Sequence, residues 1–319
     1  MKFSFIAAVL AIIPLSWASP VDISARLFSR ATTSDVATTG YATGTTGGAG
    51  GSTVTVSTLA ALTSAVAGDT ATIVLVSGTI TGDAFVKIGS NKSVIGKTGA
   101  SLVGVGIRVL SVSNVIIRNL KISKVLAATG DAIGIQTSSG VWIDHNELFS
   151  DRDHDSDYYD GLLDITHGSL GITVSYTVLH DHWKASLVGH SDTNGAEDVA
   201  IRVTYHHNYW YSLNSRLPVF RFGQGHIYNN YYLNCNDGID IRDGAQLLIE
   251  NNVFVNVTNP IHSTSTTVGY AVALGNDLGG GTNTAPAGTL TTVPYFYVLD
   301  PITTVRGTLP GIVGATLTF

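Results

Sequence analysis

The chain has 319 residues and a mass of 33.4 kDa, enough for one large domain or two small ones. Hydrophobic residues make up 44% and charged residues only 13%; the charged share is about half the usual ~25%, which excludes a highly charged disordered chain and a long coiled coil. A net charge of -6 argues against general nucleic-acid binding, and the single cysteine, Cys235, excludes an internal disulfide framework and a cysteine-rich metal site.

Lys2 precedes the apolar run from Phe3 to Ile13, which is followed by Pro14 and the small-residue stretch Ser16-Trp17-Ala18. Charged, then apolar, then small is the order of a secretory signal. The run is too short to span a bilayer, so no membrane anchoring is expected from it. The expectation is a signal peptide over residues 1–18, a propeptide over 19–30 ending at Arg30, and one domain over 31–319. Such a protein is secreted and extracellular. Secretion makes the sequons at Asn91 and Asn256 usable for glycosylation, and Cys235 then reads as a buried small hydrophobe.

Residues 32–52 are rich in Gly, Ser and Thr and read as an irregular lead-in. Residues 58–67 (TLAALTSAVA) read as one short amphipathic helix. Beyond them, helical periodicity almost vanishes and short β-branched runs take over. Six of these runs align: VIIRNLKI, VWIDHNEL, ITVSYTVL, VTYHHNYW, HIYNNYYL and LLIENNVF. Their repeat positions are Asn119, His145, Tyr176, His207, Asn229 and Asn251, separated by 26, 31, 31, 22 and 22 residues. Strands without helices at a period near 22 predict an all-β fold, a right-handed parallel β-helix with one coil per repeat. A β-sandwich with Asn-rich turns is the alternative; two successive steps of 22 favour the solenoid. Asn146, Asn208, Asn230 and Asn252 follow the repeat position directly, and stacked coils about 4.8 Å apart let such amides form a ladder.

Two coils are nine residues longer than 22, and the extra segments are expected around 150–159 and 191–199. Insertions in a solenoid gather on one side and build the binding face. The run Asp151 to Asp157 superficially follows a calcium-binding EF-hand loop but lacks its Gly and terminal Glu, so it reads as a solvated loop or a weak extra site. Counted back from the next repeat position, with the insertion removed, Asp131, Asp164, Lys184 and Arg216 fall at nearly the same place on consecutive coils. Asp160 precedes Asp164 by four residues, which would put both on one strand face. Three carboxylates with no cysteine and no well-placed histidine make a hard oxygen site, suited to Ca²⁺ rather than Zn²⁺. The remaining stretch, 263–319, carries no legible motif and is expected to be irregular, lying across the coils and capping an end.

Four motifs carry a family resemblance: VWIDH at 141–145, YDGLLDI at 159–165, LVGHSD at 187–192 and SRLPVFRFG at 215–223. In these the chain resembles the polysaccharide lyase family 1 pectate lyases, of the compact secreted fungal type. The resemblance implies a parallel β-helix, Asp131, Asp160 and Asp164 as calcium ligands, Arg216 as catalytic base, and Lys184 and Arg221 as binders of substrate carboxylates. Many relatives have an acidic residue where Thr129 stands and a Glu where Asp160 stands. Asp144 and His145 belong to a family signature but lie far around the coil from the cluster, so they read as structural.

The implied reaction is β-elimination on polygalacturonate, with Ca²⁺ as cofactor and neither nucleic acid nor membrane as partner, by a monomer. Because guanidinium holds its proton up to ~12.5, an arginine base implies activity that climbs into alkaline pH. Three other readings compete. A pectin lyase acting on methylated substrate would have no need of three carboxylates. A polygalacturonase would need two or three Asp around a water rather than an aligned Lys and Arg. A non-catalytic carbohydrate-binding solenoid would use Trp183, Trp210 and Tyr211 as stacking platforms, although such residues more often pack coils.

Overall fold

The β-branched runs become short parallel strands, each paired with the strand one coil before and one coil after. The computed structural model describes residues 31–319; the expected signal peptide and propeptide lie outside the described residues. Ten strands, from Ser52–Val56 to Tyr270–Leu274, form one sheet. A second sheet of fourteen strands folds into two arms. The arms meet at the long strand Ser101–Leu110, whose first half pairs with Lys121–Ser123 and whose second half pairs with Ile133–Gln136. The chain therefore winds as a parallel β-solenoid of about ten turns, as the 22-residue period predicts.

One column of its core takes one inward position per coil. Val74, Val94, Ile117, Ile143, Val174, Tyr205, Ile227 and Ile249 are register partners from coil to coil, and all are buried. Stiff β-branched side chains stack well at this spacing and lose little rotamer freedom in a strand. All six repeat positions sit at a corner with left-handed backbone, with φ from 46° at Tyr176 to 59° at Asn119. Asparagine tolerates that conformation better than most residues. At the three corners without asparagine, His145, Tyr176 and His207 stack ring on ring, with centroids 4.9 Å apart at each step.

The predicted amide ladder is present and runs farther than the sequence reading reached. Asn208 donates to Asn230 at 2.9 Å, Asn230 to Asn252 at 2.9 Å, and Asn252 to Asn276 at 3.0 Å. Thr177 takes the rung between Asn146 and Asn208, donating its N–H to Asn208 Oδ1 and accepting from Asn146 N–H on its hydroxyl. These side chains satisfy corner backbone that would otherwise be buried without partners.

The short helix expected near residue 58 is α1, Leu59–Ala65. The Thr58 hydroxyl accepts the Ala61 N–H at its start, and Leu62 faces the core. A one-turn helix, α2 (Gly195–Asp198), lies in the second insertion. The C-terminal segment corrects the expectation of irregular structure. It does lie across the coils, but it also adds the last strand of the ten-stranded sheet and a helix, α3 (Ile302–Ile312). Gly307, Pro310 and Gly311 hide this helix in the sequence, since each lowers helix propensity. Tertiary packing forms it: Val305 and Leu309, one turn apart, seat on Val178, Tyr231 and Val253. Cys235 and Trp210 are buried in the core, the latter as a packing rather than a stacking residue.

Asp144 is buried in a polar knot. Arg118 Nε lies 2.7 Å and His145 Nδ1 2.8 Å from its Oδ2, and the Ser175 hydroxyl donates to Oδ1 at 2.6 Å. Burial pushes this carboxyl's pKa up, but His145, Arg118 and Ser175 together pull it down to about 2. Asp144→Asn is expected to lower the melting temperature at neutral pH, costing about 1–3 kcal/mol, because Arg118 loses its buried partner and keeps only Asp35, at 2.8 Å. The folded carboxyl releases its proton more readily than the unfolded one. The wild-type advantage is therefore full above the ordinary value of 3.8 and fades as pH falls through about 2. Melting curves of both proteins across that range check the sign, and turnover per folded molecule should stay near wild type.

Candidate active site

The site gathers where coils bend between the two arms of the fourteen-stranded sheet. Gly130 takes φ +89°, a conformation that glycine accepts freely, and turns the chain into Asp131. Arg108, one coil earlier, fixes that turn by donating to the carbonyls of Thr129 at 2.8 Å and Asp131 at 2.7 Å. The Thr129 hydroxyl donates to Asp83 at 2.6 Å.

Gly161 explains how two carboxylates come together. Its N–H donates to Asp131 Oδ1 at 3.1 Å. A Cβ at this position would stand 2.6 Å from Asp164 Oδ1 and 2.9 Å from Asp131 Oδ1, so only hydrogen fits between the two acids. Asp164 Oδ1 accepts the Leu187 N–H at 3.0 Å, and its Oδ2 lies 3.5 Å from Arg216 Nη1. Lys184 Nζ stands 3.4 Å from Asp160 and 3.0 Å from Asp157. Arg221 Nε stands 2.6 Å from Asp192 and 3.5 Å from Asp243.

The cluster differs in detail from the count around the coil. Lys184 pairs with Ser215, the neighbour of Arg216, and Asp131 lies against Gly161, so these share a place as expected. Asp164 pairs with Gly134 and stands three residues farther along than Asp131. The place beside Asp131 belongs to Asp160-Gly161. Asp160 is in the bend, ahead of the strand Leu163–Thr166, and does not share a strand face with Asp164.

Burial first, and then the charge of Asp160, push the Asp131 carboxyl up to about 6. Burial and the neighbouring Asp131 raise Asp164 well above the usual range. Among the described residues no three His, Cys, Asp or Glu side chains form a ready-made metal cage. Asp131 and Asp164 meet, while Asp160 is engaged by Lys184. The donor chemistry nevertheless fits a hard cation: all donors are oxygens, two carboxylates are held together against their repulsion, and Arg216 compensates them only at 3.5 Å.

Several contributors escaped the sequence reading. Arg108 belongs to no motif and was visible only as a basic residue one coil before Asp131. His182 pairs in register with the core residue Leu213 and donates from Nε2 to the Asp160 carbonyl at 2.6 Å. Burial lowers its pKa to about 4, which keeps the ring neutral. Asp157 and Asp192 lie on the two insertions. The first insertion is tied down by Trp183, which donates to the His154 carbonyl at 2.8 Å and carries Arg152 over its ring.

Known proteins agree with this architecture. A family model described as pectate lyase matches residues 4–306. Pectate lyase A of Aspergillus niger is 60% identical over 297 residues, 91% of each chain; the probable pectate lyase A of Aspergillus flavus is 57% identical over 267 residues, 83% of each chain. Among solved structures, a pectate lyase of Bacillus sp. N165 in complex with trigalacturonate is 33% identical and superposes with a TM-score of 0.79, covering 86% of this chain and 98% of that one. Solenoid, clustered carboxylates and relatives together define a polysaccharide lyase. The chain belongs to the pectate lyase family, in its fungal form.

Proposed function

We propose that the protein is a secreted, calcium-dependent lyase that cleaves α-1,4-linked polygalacturonate by β-elimination, leaving 4,5-unsaturated oligogalacturonates. The observation that supports it best is the meeting of Asp131 and Asp164 at Gly161, beside Arg216, with Lys184 on the neighbouring Asp160. The charge-then-apolar-then-small order of the first 18 residues supports secretion.

Elimination breaks the C5–H bond of a uronate, next to its C6 carboxylate, and the C4–O bond; the C4=C5 double bond forms and the departing oxygen takes a proton from water. A free carboxylate makes the C5 proton a poor acid. Asp131, Asp160 and Asp164 would hold calcium, which when bound would supply the charge withdrawal that makes the proton a stronger acid. Lys184 and Arg221 hold the uronate carboxylates through charge-assisted hydrogen bonds. Arg216, on the same face, takes the C5 proton. Gly161 and His182 keep the acids in place, one by leaving room between them and the other by anchoring the Asp160 carbonyl.

Initial rates on polygalacturonate and on highly methylated pectin, followed by the ultraviolet absorbance of the unsaturated product, test the reading. Methylation removes the charge that Lys184 and Arg221 recognise, so the unesterified polymer should be cleaved clearly faster. Faster cleavage of the methylated polymer would make the protein a pectin lyase, and new reducing ends without the ultraviolet band would make it a hydrolase.

A further inference from the structure

The two cations assigned to substrate carboxylates share an arrangement that the base does not. Each faces two aspartates. One is an inner acid set by a coil: Asp160 at 3.4 Å from Lys184, and buried Asp243 at 3.5 Å from Arg221. The other is closer, on an insertion, and open to solvent. Asp157, with its side chain 86% exposed, lies 3.0 Å from Lys184; Asp192, 66% exposed, lies 2.6 Å from Arg221. The cations themselves are 14% and 13% exposed. Among the described residues, Arg216 pairs with Asp164 and carries no such outer acid.

We infer that Asp157 and Asp192 are internal stand-ins for uronate carboxylates, occupying Lys184 and Arg221 in the free enzyme and yielding them when the polymer docks. The inference rests on the substrate reading given above. Its physical basis is competition for the same donors. With both outer acids in place, the N–H groups of Lys184 and Arg221 are already engaged by carboxylates. When the outer acid swings into solvent, the incoming carboxylate supplies the same oxygens to the same N–H groups. Exposed side chains on irregular loops can make that move without disturbing the coils. Because the two pairs sit on separate insertions, each sets the affinity of its own subsite, and together they make the enzyme selective for ligands charged enough to displace them.

The test compares wild type with Asp157→Asn, Asp192→Asn and the double variant, titrating each calorimetrically with trigalacturonate at low salt and fixed calcium. An exposed ion pair holds its partner only weakly, so each single variant should bind about two- to fivefold more tightly. Effects at separate sites add, which makes the double variant about tenfold tighter. KM for polygalacturonate should fall in parallel. Unchanged or weaker binding in the variants overturns the inference and makes the two acids positioning groups for the cations. A wild type that binds trigalacturonate without forming unsaturated product sinks the lyase reading alone; one that binds none sinks both. Both acids are exposed, so melting temperatures should match wild type, and each site has its own variant should one fold poorly.

Discussion

Arg216→Lys is expected to leave the fold and most of the substrate affinity intact while lowering kcat by about 10²–10⁴-fold, the usual worth of a general base. The backbone at this residue is strongly fixed. It takes φ +65° and its carbonyl accepts the Ser186 N–H at 2.7 Å. The side chain is much less constrained, 28% exposed with one ion-pair contact at 3.5 Å. A rigid base carrying a reachable side chain suits proton transfer. Lysine keeps the charge but loses the planar fork and changes the reach. If Arg216 only braced Asp164, the substitution would lower the melting temperature and leave kcat per folded molecule near wild type. The contact is long and partly exposed, a kind worth under about 1 kcal/mol, so bracing predicts a small thermal shift and no kinetic one. Measuring kcat, KM and melting temperature on one preparation separates the two, and an unimpaired kcat removes Arg216 from the mechanism.

Chelation of calcium should abolish turnover, and Asp164→Ala should lower it by about 10²-fold, as expected when several kcal/mol of charge stabilisation are lost. Excess Ca²⁺ should rescue the variant in part, because Asp131 and Asp160 remain. A second readout does not depend on activity. In the calcium-free protein Asp131 and Asp164 repel each other across Gly161, so removing one acid should not lower the calcium-free melting temperature. Calcium should raise the melting temperature of wild type more than that of the variant, since binding to the folded state alone stabilises it. Full wild-type activity in strong chelator would defeat the metal assignment.

Much of this was legible in the sequence because a solenoid repeats its geometry in its spacing. The corner residues Asn119 to Asn251 share one backbone conformation, so their type recurs, and Asp131, Lys184 and Arg216 could be superposed by counting alone. Counting failed where the coil departs from regularity. Asp164 was placed beside Asp131 because residue number does not register where a bend is taken. His182 was overlooked because Asp181 adopts φ +47°, a local left-handed turn that reverses which side chains face inward. Asp157 and Asp192 lie on insertions, which have no repeat position to be counted from. Helix α3 was hidden by its glycines and proline, since the surface that stabilises it belongs to other parts of the chain.

The C-terminal segment ties together coils that otherwise touch only their neighbours. Tyr295 bonds Thr204 at 2.7 Å and His226 at 2.8 Å; Tyr297 donates to Glu250 at 2.7 Å; the carboxylate and carbonyl of Asp300 reach His207, Asn229 and Asn251. A bare stack of coils behaves like a row of dominoes, free to fray one unit at a time from an open end. A tie rod across successive coils changes the statistics. None of the spanned coils can peel away without breaking bonds that also hold the others, so the row opens as one cooperative block. Those coils carry Arg216 and Arg221, so the block holds these two cations in register when the end of the stack is agitated.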